Sequence, residues 1–105
     1  MASKKEYLDY VLEQLSDAEG VTYRPMMGEY ILYARDKIIG GIYDDRLLVK
    51  ITKASARLMP DAPEQLPYEG AKPMLLVEDI DDRALLTELV NAMWDELPAP
   101  KKKSK

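Results

Sequence analysis

Residues 24–50 read RPMMGEYILYARDKIIGGIYDDRLLVK, and this stretch decides the fold class of the chain. Runs of β-branched and aromatic residues, which are typical of strands, alternate here with short turn signals. Arg35-Asp36 and Asp44-Asp45 predict tight turns, because Asp tolerates positive φ and bonds its own backbone. Consecutive strands joined by two-residue turns are antiparallel, so the stretch predicts an antiparallel meander.

The sequence around this meander predicts further strands and a few special positions. Pro25 is expected at an edge or a bulge, because proline cannot donate a ladder hydrogen bond. Gly28 predicts a bulge or a sharp bend. Gly40-Gly41 lies inside a strand pattern and predicts a bulge or a close contact with a helix or another subunit. Strands are expected at residues 21–26, 30–33, 37–43, 46–51 and 74–77.

A first amphipathic helix is expected at residues 4–17. Ser3 would begin it, and Glu6 follows three residues later, which is a capping-box pattern. Gly20 comes after its end, where a left-handed residue is favourable. Its apolar positions recur at helical spacing, so one face of this helix must be covered.

Two more helices are expected downstream. Thr52 is the expected cap of a short helix that ends near residue 59. Asp79 or Asp81 is the expected cap of a long helix at about residues 82–95, which carries a wide apolar stripe. The proline-rich residues between these helices predict an extended surface loop, interrupted by the strand at 74–77.

This order of elements, α-β-β-β-β-α-β-α, predicts an α+β fold. Two long helices with one apolar face each need a sheet to cover, so we expect a two-layer sandwich. Its antiparallel sheet would have about five strands, with both long helices on one face. Residues 1–97 are expected to form a single domain, followed by a disordered lysine-rich tail at 98–105.

Composition excludes several kinds of chemistry. The 105 residues contain no cysteine and no histidine, which rules out disulfides, thiolate catalysis, Ser-His-Asp triads and most zinc sites. We predict no catalytic residues, no cofactor and no metal site. No segment approaches the ~20 apolar residues of a membrane span, and the charged N-terminus does not resemble a signal peptide. A cytoplasmic protein with no membrane contact is therefore expected.

Charge is unevenly distributed along the chain. The net charge is −4, and four of the 15 basic residues lie in the last five positions, KKKSK. The rest of the chain carries 11 basic against 19 acidic residues. Such an acidic body repels a phosphate backbone, so at most weak, nonspecific nucleic-acid contact through the tail is expected.

Two acidic clusters could hold a cation, and the first could instead bind a basic partner, but each has a simpler explanation. The first is explained by a hairpin turn followed by an exposed charge. The second is explained by helix capping and a favourable helix dipole, since no calcium-loop spacing is present. The clusters are Asp44-Asp45-Arg46, and Glu78 with Asp79, Asp81 and Asp82.

Aromatic and basic residues are interleaved along the predicted sheet, a pattern that can bind single-stranded nucleic acid. Strand alternation scatters the tyrosines over both faces, and phenylalanine is absent. We therefore expect the tyrosines to pack in the core or at an interface. The residues in question are Tyr23, Tyr30, Tyr33 and Tyr43, with Arg24 and Lys50 beside them.

Four segments of the meander resemble the N-terminal domain of the TfoX/Sxy family, the bacterial competence regulators. That family's pattern is R-x-M-F-G-G-Y-G-L-Y, a D-G-K turn and a D-R-L-Y-L-K strand. Here Met27 replaces the usual Phe, Glu29 and Ile31 replace Gly, and Asp36 replaces the turn Gly. The resemblance covers most of residues 4–95 and weakens after Lys53. The segments are Arg24-Pro-Met-Met-Gly28, Tyr30-Ile-Leu-Tyr33, Lys37-Ile-Ile and Asp45-Arg-Leu-Leu-Val-Lys50.

The resemblance implies a fold similar to the secretion chaperones, frequent dimerisation and no agreed catalytic residues. Competence regulators carry a second, C-terminal domain, and this chain resembles the N-terminal domain standing alone. We therefore expect a non-enzymatic protein-interaction or regulatory module, forming a homodimer and binding an unknown protein partner. The alternatives are a nucleic-acid-associated accessory protein that uses the tail, and an enzyme that uses carboxylates alone. The family-motif residues expected at an interaction surface are Arg24, Met26, Met27, Gly28, Tyr30, Tyr33, Lys37, Asp45, Arg46 and Lys50.

Overall fold

The computed structural model of the protein describes residues 3–97, so the lysine-rich tail predicted at 98–105 lies outside the described residues. The helices and strands follow the predicted order along the chain, with one additional strand. The elements are α1 (Lys5–Gln14), β1 (Val21–Met26), β2 (Glu29–Ala34), β3 (Lys37–Ile42), β4 (Leu47–Val49), α2 (Lys53–Leu58), β5 (Glu64–Gln65), β6 (Met74–Leu76) and α3 (Arg83–Trp94).

The strands form one antiparallel sheet in the order β1-β2-β3-β4-β6-β5, which confirms the α+β class. The sheet has six strands where about five were expected. The additional strand, β5, lies in the proline-rich segment that the sequence predicts as a loop. It pairs with β6 through Glu64 opposite Leu75 and Gln65 opposite Met74. A strand of two residues is too short to show alternation, so the sequence pattern could not indicate it.

Three two-residue turns connect β1 to β4. Both central residues of each turn have positive φ, as type I′ hairpin turns require. Such turns match the right-handed twist of the strands that they join. Gly28 therefore forms a sharp turn rather than a bulge. The φ values are 52° and 86° at Met27-Gly28, 46° and 73° at Arg35-Asp36, and 56° and 57° at Asp44-Asp45.

The β-bulge of the meander lies in β3. Leu32 is opposite Gly40 while Tyr33 is opposite Ile38, so Ile39 is an extra residue on its strand. Two residues at a bulge oppose one on the partner strand, which shifts the alternation of side chains. As a result Ile39 and Ile42 are both buried in the core, whereas Ile38 is exposed on the other face.

The core lies between one face of the sheet and the two long helices. Side chains of α1 and α3 belong to the same buried cluster as side chains of β2, β3, β4 and β6. This confirms that both long helices cover the same face of the sheet. The helix side chains are Leu8, Val11, Leu86, Leu89, Val90 and Met93, and the sheet side chains include Leu32, Ala34, Ile39, Ile42, Leu47, Val49 and Leu75.

The predicted capping role of Ser3 is wrong. Helix α1 begins at Lys5, and Lys4 is the N-cap without a side-chain hydrogen bond. The Ser3 hydroxyl instead donates to Glu29 Oε1 at 2.5 Å and accepts from the Asp45 N–H at 3.0 Å. The Ser3 hydroxyl therefore hydrogen-bonds to residues that are distant in sequence, whereas the local sequence predicts a bond to the N-terminus of α1.

The structure confirms the predicted N-cap of α2 but not the predicted N-cap of α3. Thr52 caps α2 as expected, and Ser55 completes a capping box with it. The cap of α3 is Asp82, which accepts from the Leu85 N–H at 3.1 Å, rather than Asp79 or Asp81. Asp81 instead accepts a hydrogen bond from the Tyr10 hydroxyl of α1. Three closely spaced Asp residues make the cap ambiguous from sequence alone.

The glycine pair of β3 marks a close approach within the sheet itself. A Cβ atom on Gly40 would come 2.1 Å from the Leu48 oxygen, and one on Gly41 would come 2.6 Å from the Tyr30 oxygen. A close contact was expected here, but its atoms come from neighbouring strands and from Tyr43, not from a helix or a second subunit.

Candidate functional site

The face of the sheet opposite the two long helices is called here the open face. Cross-strand partners share a face, and the pairs Arg24–Ile31, Gly41–Leu48 and Leu48–Leu76 all lie on this side. Tyr33, Ile38 and Tyr43 belong to the same face by alternation through the β3 bulge. No helix packs on this side among the described residues, so its composition is informative about function.

A loop formed by residues 66–73 covers one part of the open face. Arg46 holds this loop: its Nη1 donates to Gln65 Oε1 at 2.7 Å and its Nη2 to the Leu66 oxygen at 3.3 Å. The ring of Tyr68 in the loop lies 6.2 Å from the ring of Tyr43 in a tilted arrangement. Arg46 is therefore a residue that positions the loop.

Tyr43 forms the floor under this loop. It is only 7% exposed, and burial raises the pKa of its phenol, with nearby Tyr68, Glu29 and Tyr33 adding to the effect. The phenol therefore stays neutral well above physiological pH. Tyr43 acts as a packing side chain and offers no ionised oxygen for chemistry.

Between the loop and the sheet lies a cavity of about 600 Å³, called here the open-face groove. Ile38 and Ile51 line it from the sheet side, and Tyr68 and Lys72 line it from the loop side. Ile38, Ile51 and Tyr68 are 39%, 44% and 58% exposed. Exposed apolar side chains gathered around a concavity are typical of a binding surface.

The open face carries positive charge on an otherwise acidic protein. Lys50 and Lys72 line the groove, and Arg24 lies farther along the face, 5.7 Å from the centre of the Tyr33 ring. The ion pairs of the described residues join Lys5 to Asp9 and Arg83 to Asp17. Within residues 3–97, Arg24, Lys50 and Lys72 therefore have no carboxylate at ion-pair distance.

The carboxylate that the strands place on this face is already engaged. Glu29 accepts hydrogen bonds from the Ser3 hydroxyl and from the Asp44 N–H, the latter at 3.1 Å. Its oxygen thus ties the N-terminal segment to the β3–β4 turn. The three cations of the open face remain available to an external partner.

The structure separates the family-motif residues into two groups. Arg24, Met26, Tyr33 and Lys50 lie on the open face. The others serve turns, the loop or the helix layer, so the motif as a whole does not form one surface. These others are Met27, Gly28, Tyr30, Lys37, Asp45 and Arg46.

The contacts of the second group are specific. The Lys37 Nζ donates to the Trp94 oxygen at 2.9 Å and lies 3.7 Å from the centre of the Trp94 ring. Asp45 accepts from the Lys4 N–H at 2.8 Å. Tyr30 faces the helices, with its ring 5.7 Å from that of Tyr23. These residues hold the turns and the helix layer in place.

The edge strand β1 is a poorer docking surface than the open face. The Gly20 oxygen accepts from the Arg35 N–H, so Gly20 and every second residue after it direct their backbone groups towards β2. The backbone groups of the residues between them, Val21, Tyr23 and Pro25, therefore point away from β2. Pro25 has no N–H, so it interrupts the outward row that an added strand would need. This confirms the expected edge position of Pro25.

Sequence reasoning missed Ile38, Ile51, Tyr68 and Lys72. The exposure of Ile38 depends on the bulge at Ile39; the adjacent Gly40-Gly41 pair indicates a bulge or a close contact, but not which side chain turns outward. Tyr68 and Lys72 lie in the proline-rich segment, whose position over the sheet depends on the Arg46 hydrogen bonds. In the sequence, a lysine and a tyrosine in a loop cannot be distinguished from ordinary solvent-exposed residues.

The acidic clusters serve the fold. Asp44 and Asp45 form a turn, Asp82 caps α3, and Asp81 bonds Tyr10. Within residues 3–97, no group of three or more carboxylates lies close enough together to hold a metal ion. The helices of the same residues are also too short or too polar to cross a membrane.

Comparison with known proteins gives two matches. A family model described as the TfoX N-terminal domain matches residues 13–96, a span that includes β1 to β6 and the whole open face. A protein of Spirochaeta aurantia, described as an uncharacterized 12.7 kDa protein in the trpE 5′ region, is 32% identical over 102 residues. The alignment covers 96% of this chain and 89% of the relative. No solved structure matches the chain significantly.

Proposed function

The chain belongs to the TfoX N-terminal domain family, and from that membership and the open face we propose that it is a non-enzymatic protein-interaction module. In this proposal the open face binds a protein partner, while α1 and α3 form the structural layer. The observation that carries it is the groove, where Ile38, Ile51 and Tyr68 are exposed together.

The energetic argument concerns the exposed apolar side chains. Burying an apolar side chain stabilises a complex by roughly 25 cal/mol per Å² removed from water. In the isolated chain more than a third of Ile38 and of Ile51 is exposed, and this exposed part gains nothing of this kind. A partner seated in the groove would remove them from water. The neighbouring cations would orient the bound partner in the groove.

Binding of single-stranded nucleic acid is the second candidate, because Tyr33, Tyr68 and three cations share the open face. Base stacking needs exposed aromatic rings. Tyr68 is an exposed aromatic ring in the groove, but Tyr43 is only 7% exposed, and Ile38 and Ile51 are aliphatic. The acidic body also repels phosphate. These observations favour a protein partner.

A carboxylate-based enzyme receives less support. General acid–base catalysis needs carboxyl groups that converge on a cavity. Of the residues that the structure describes, those that line the open-face groove include no Asp or Glu. Glu29, at the end of the same face, is committed to the Ser3 and Asp44 hydrogen bonds.

Affinity capture with variants tests the proposal. The chain is immobilised and incubated with an extract of its own cells, and bound proteins are identified by mass spectrometry. The Ile38→Thr/Ile51→Thr double variant keeps β-branched residues at both positions but removes apolar surface from the groove. We expect the wild-type chain to retain a defined partner that the double variant loses.

The matched control is Tyr23→Thr. Tyr23 is 37% exposed, close to the 39% of Ile38, but it lies in the same sheet on the helix side. This variant should retain the partner. Equal capture by the wild type and the Ile38→Thr/Ile51→Thr variant, or loss with Tyr23→Thr alone, would contradict the proposed function.

A further inference from the structure

We propose that the segment bound in the open-face groove is an apolar stretch of a partner protein that carries carboxylates, which pair with Lys50 and Lys72. This inference rests on the proposed function and names the chemistry of its partner. It goes beyond the existence of a docking surface because the charges of the groove discriminate between possible occupants.

The first step is the arrangement of charge around apolar surface. Lys50 follows β4 and Lys72 lies in the covering loop, so cations line the groove from both the sheet and the loop. Ile38, Ile51 and Tyr68 line the same groove. A ligand that fills this groove therefore meets both apolar side chains and positive charge.

The second step is the electrostatic cost of leaving these cations unpaired. Within residues 3–97 the groove lining includes no carboxylate, and Lys72 is exposed while Lys50 is half-buried. Ammonium groups in such positions are hydrated. An apolar ligand would remove part of that water without replacing it, which costs free energy. A ligand with carboxylates replaces the lost water by charge-assisted hydrogen bonds. Complementary charge also steers association and rejects basic competitors.

The third step disfavours a second copy of the chain as the occupant. Two open faces packed together would bring the cations of both copies, Arg24 and Lys50 of each, into one interface. Like charges in apposition disfavour such an interface. The carboxylate of the open-face strands, Glu29, could not relieve this repulsion, because it is held by Ser3 and Asp44.

The experiment measures the binding of labelled peptides by fluorescence anisotropy. The probes are three 12-residue peptides with leucine at every second position. The intervening positions are glutamate in the first peptide, glutamine in the second and lysine in the third. We expect the glutamate peptide to bind about tenfold or more tightly than the glutamine peptide. The lysine peptide should not bind, and added salt should weaken the preference.

Charge reversal at the groove provides the decisive variant. In Lys50→Glu/Lys72→Glu the order of the three peptides should invert, so that the lysine peptide binds best. The matched control is Lys53→Glu/Arg57→Glu on α2, which changes the net charge equally but lies outside the groove-lining set. That control should keep the wild-type order, and circular dichroism verifies that each variant is folded.

Several results would overturn the inference. They are equal binding of all three peptides, preference of the wild type for the lysine peptide, or no binding of any peptide. Tight binding of a twelve-nucleotide oligothymidine to the groove, or a wild-type dimer that Ile38→Thr/Ile51→Thr dissociates, would assign a different occupant. Preferential binding of the glutamine peptide, abolished by Ile38→Thr/Ile51→Thr, would reject the acidic partner while leaving the proposed function intact.

Discussion

Gly40 lies where β3 and β4 approach each other too closely for any side chain. The atoms that a Cβ would meet are the Leu48 oxygen at 2.1 Å and the Val49 Cα at 2.7 Å. Both belong to the backbone, so no rotamer change can relieve the clash. A substitution here must push two paired strands apart.

Gly40→Ala should therefore reduce the free energy of unfolding by about 3 kcal/mol or more, at the upper end for overpacked sites. Gly70→Ala is the matched control, because no atom of the described chain lies within 4 Å of its Cβ position and only the strain of φ 87° remains. That strain costs about 1–2 kcal/mol. Urea denaturation of both variants checks the difference, and equal losses would show that β3 and β4 are farther apart.

Met27 illustrates a residue whose side chain serves no folding role. It is 96% exposed and has φ 52°, in a type I′ turn where Asn-Gly is the preferred pair. Met27→Asn should stabilise the protein by about 0.5–1 kcal/mol, because Asn tolerates the left-handed region better. A higher midpoint in thermal unfolding would check this. A lower midpoint would mean that the Met27 side chain makes contacts that its exposure does not show.

Among the elements, α2 packs against α3 through apolar side chains such as Ala54, and a carboxylate just after α3 adds a polar contact. Glu96 Oε1 accepts from the Ala54 N–H at 2.9 Å. This backbone hydrogen bond lowers the pKa of the Glu96 carboxyl, opposed by partial desolvation and reinforced by Thr52, Lys53 and Arg57. The contact is thus strongest when the carboxylate is ionised.

The sign of the pH dependence follows from this lowered pKa. A carboxyl group with a lower pKa in the folded state stabilises that state above its unfolded pKa, about 4.3 for Glu. The stabilisation is lost as the pH falls through the folded pKa. In an NMR titration the Ala54 amide shift should move with a midpoint below that value, and Glu96→Gln should abolish the movement. A midpoint at or above the ordinary Glu value would contradict the hydrogen bond.

The elements also show what the sequence could and could not predict. The meander, its turns and the Thr52 cap follow from local chemistry, because φ preferences and side-chain-to-backbone bonds act over a few residues. The exact position of the bulge in β3, the pairing of strand β5 and the partners of Ser3 depend on residues far apart in sequence. Local patterns carry no information about such contacts.

The candidate site was less predictable than the fold for the same reason. Arg24, Tyr33 and Lys50 were expected at a surface, and the structure places them on the open face. Ile38 joins them because the bulge at Ile39 turns its side chain outward. Tyr68 joins them because Arg46 holds its loop over the sheet. Lys37 and Arg46, which were also expected there, instead donate hydrogen bonds to Trp94 and Leu66.

At the scale of the whole molecule, the distribution of charge constrains self-association. The sequence predicts a homodimer at micromolar concentration, and this stays a prediction. Because the cations of the open face have no ion-pair partner among residues 3–97, we expect any dimer to use another surface. Sedimentation velocity at several concentrations should give the same oligomeric state for the wild type and for Ile38→Thr/Ile51→Thr. A dimer that only the wild type forms would place the interface on the open face.

The open face as the binding surface is the central claim, and an NMR titration tests it most directly. Uniformly ¹⁵N-labelled protein is titrated with the leucine–glutamate peptide, and amide shifts are mapped along the chain. The account predicts saturable shifts at Ile38, Lys50, Ile51 and Tyr68, with the amides of α1 and α3 unchanged. Shifts concentrated on α1 and α3, or none at millimolar peptide, would contradict it.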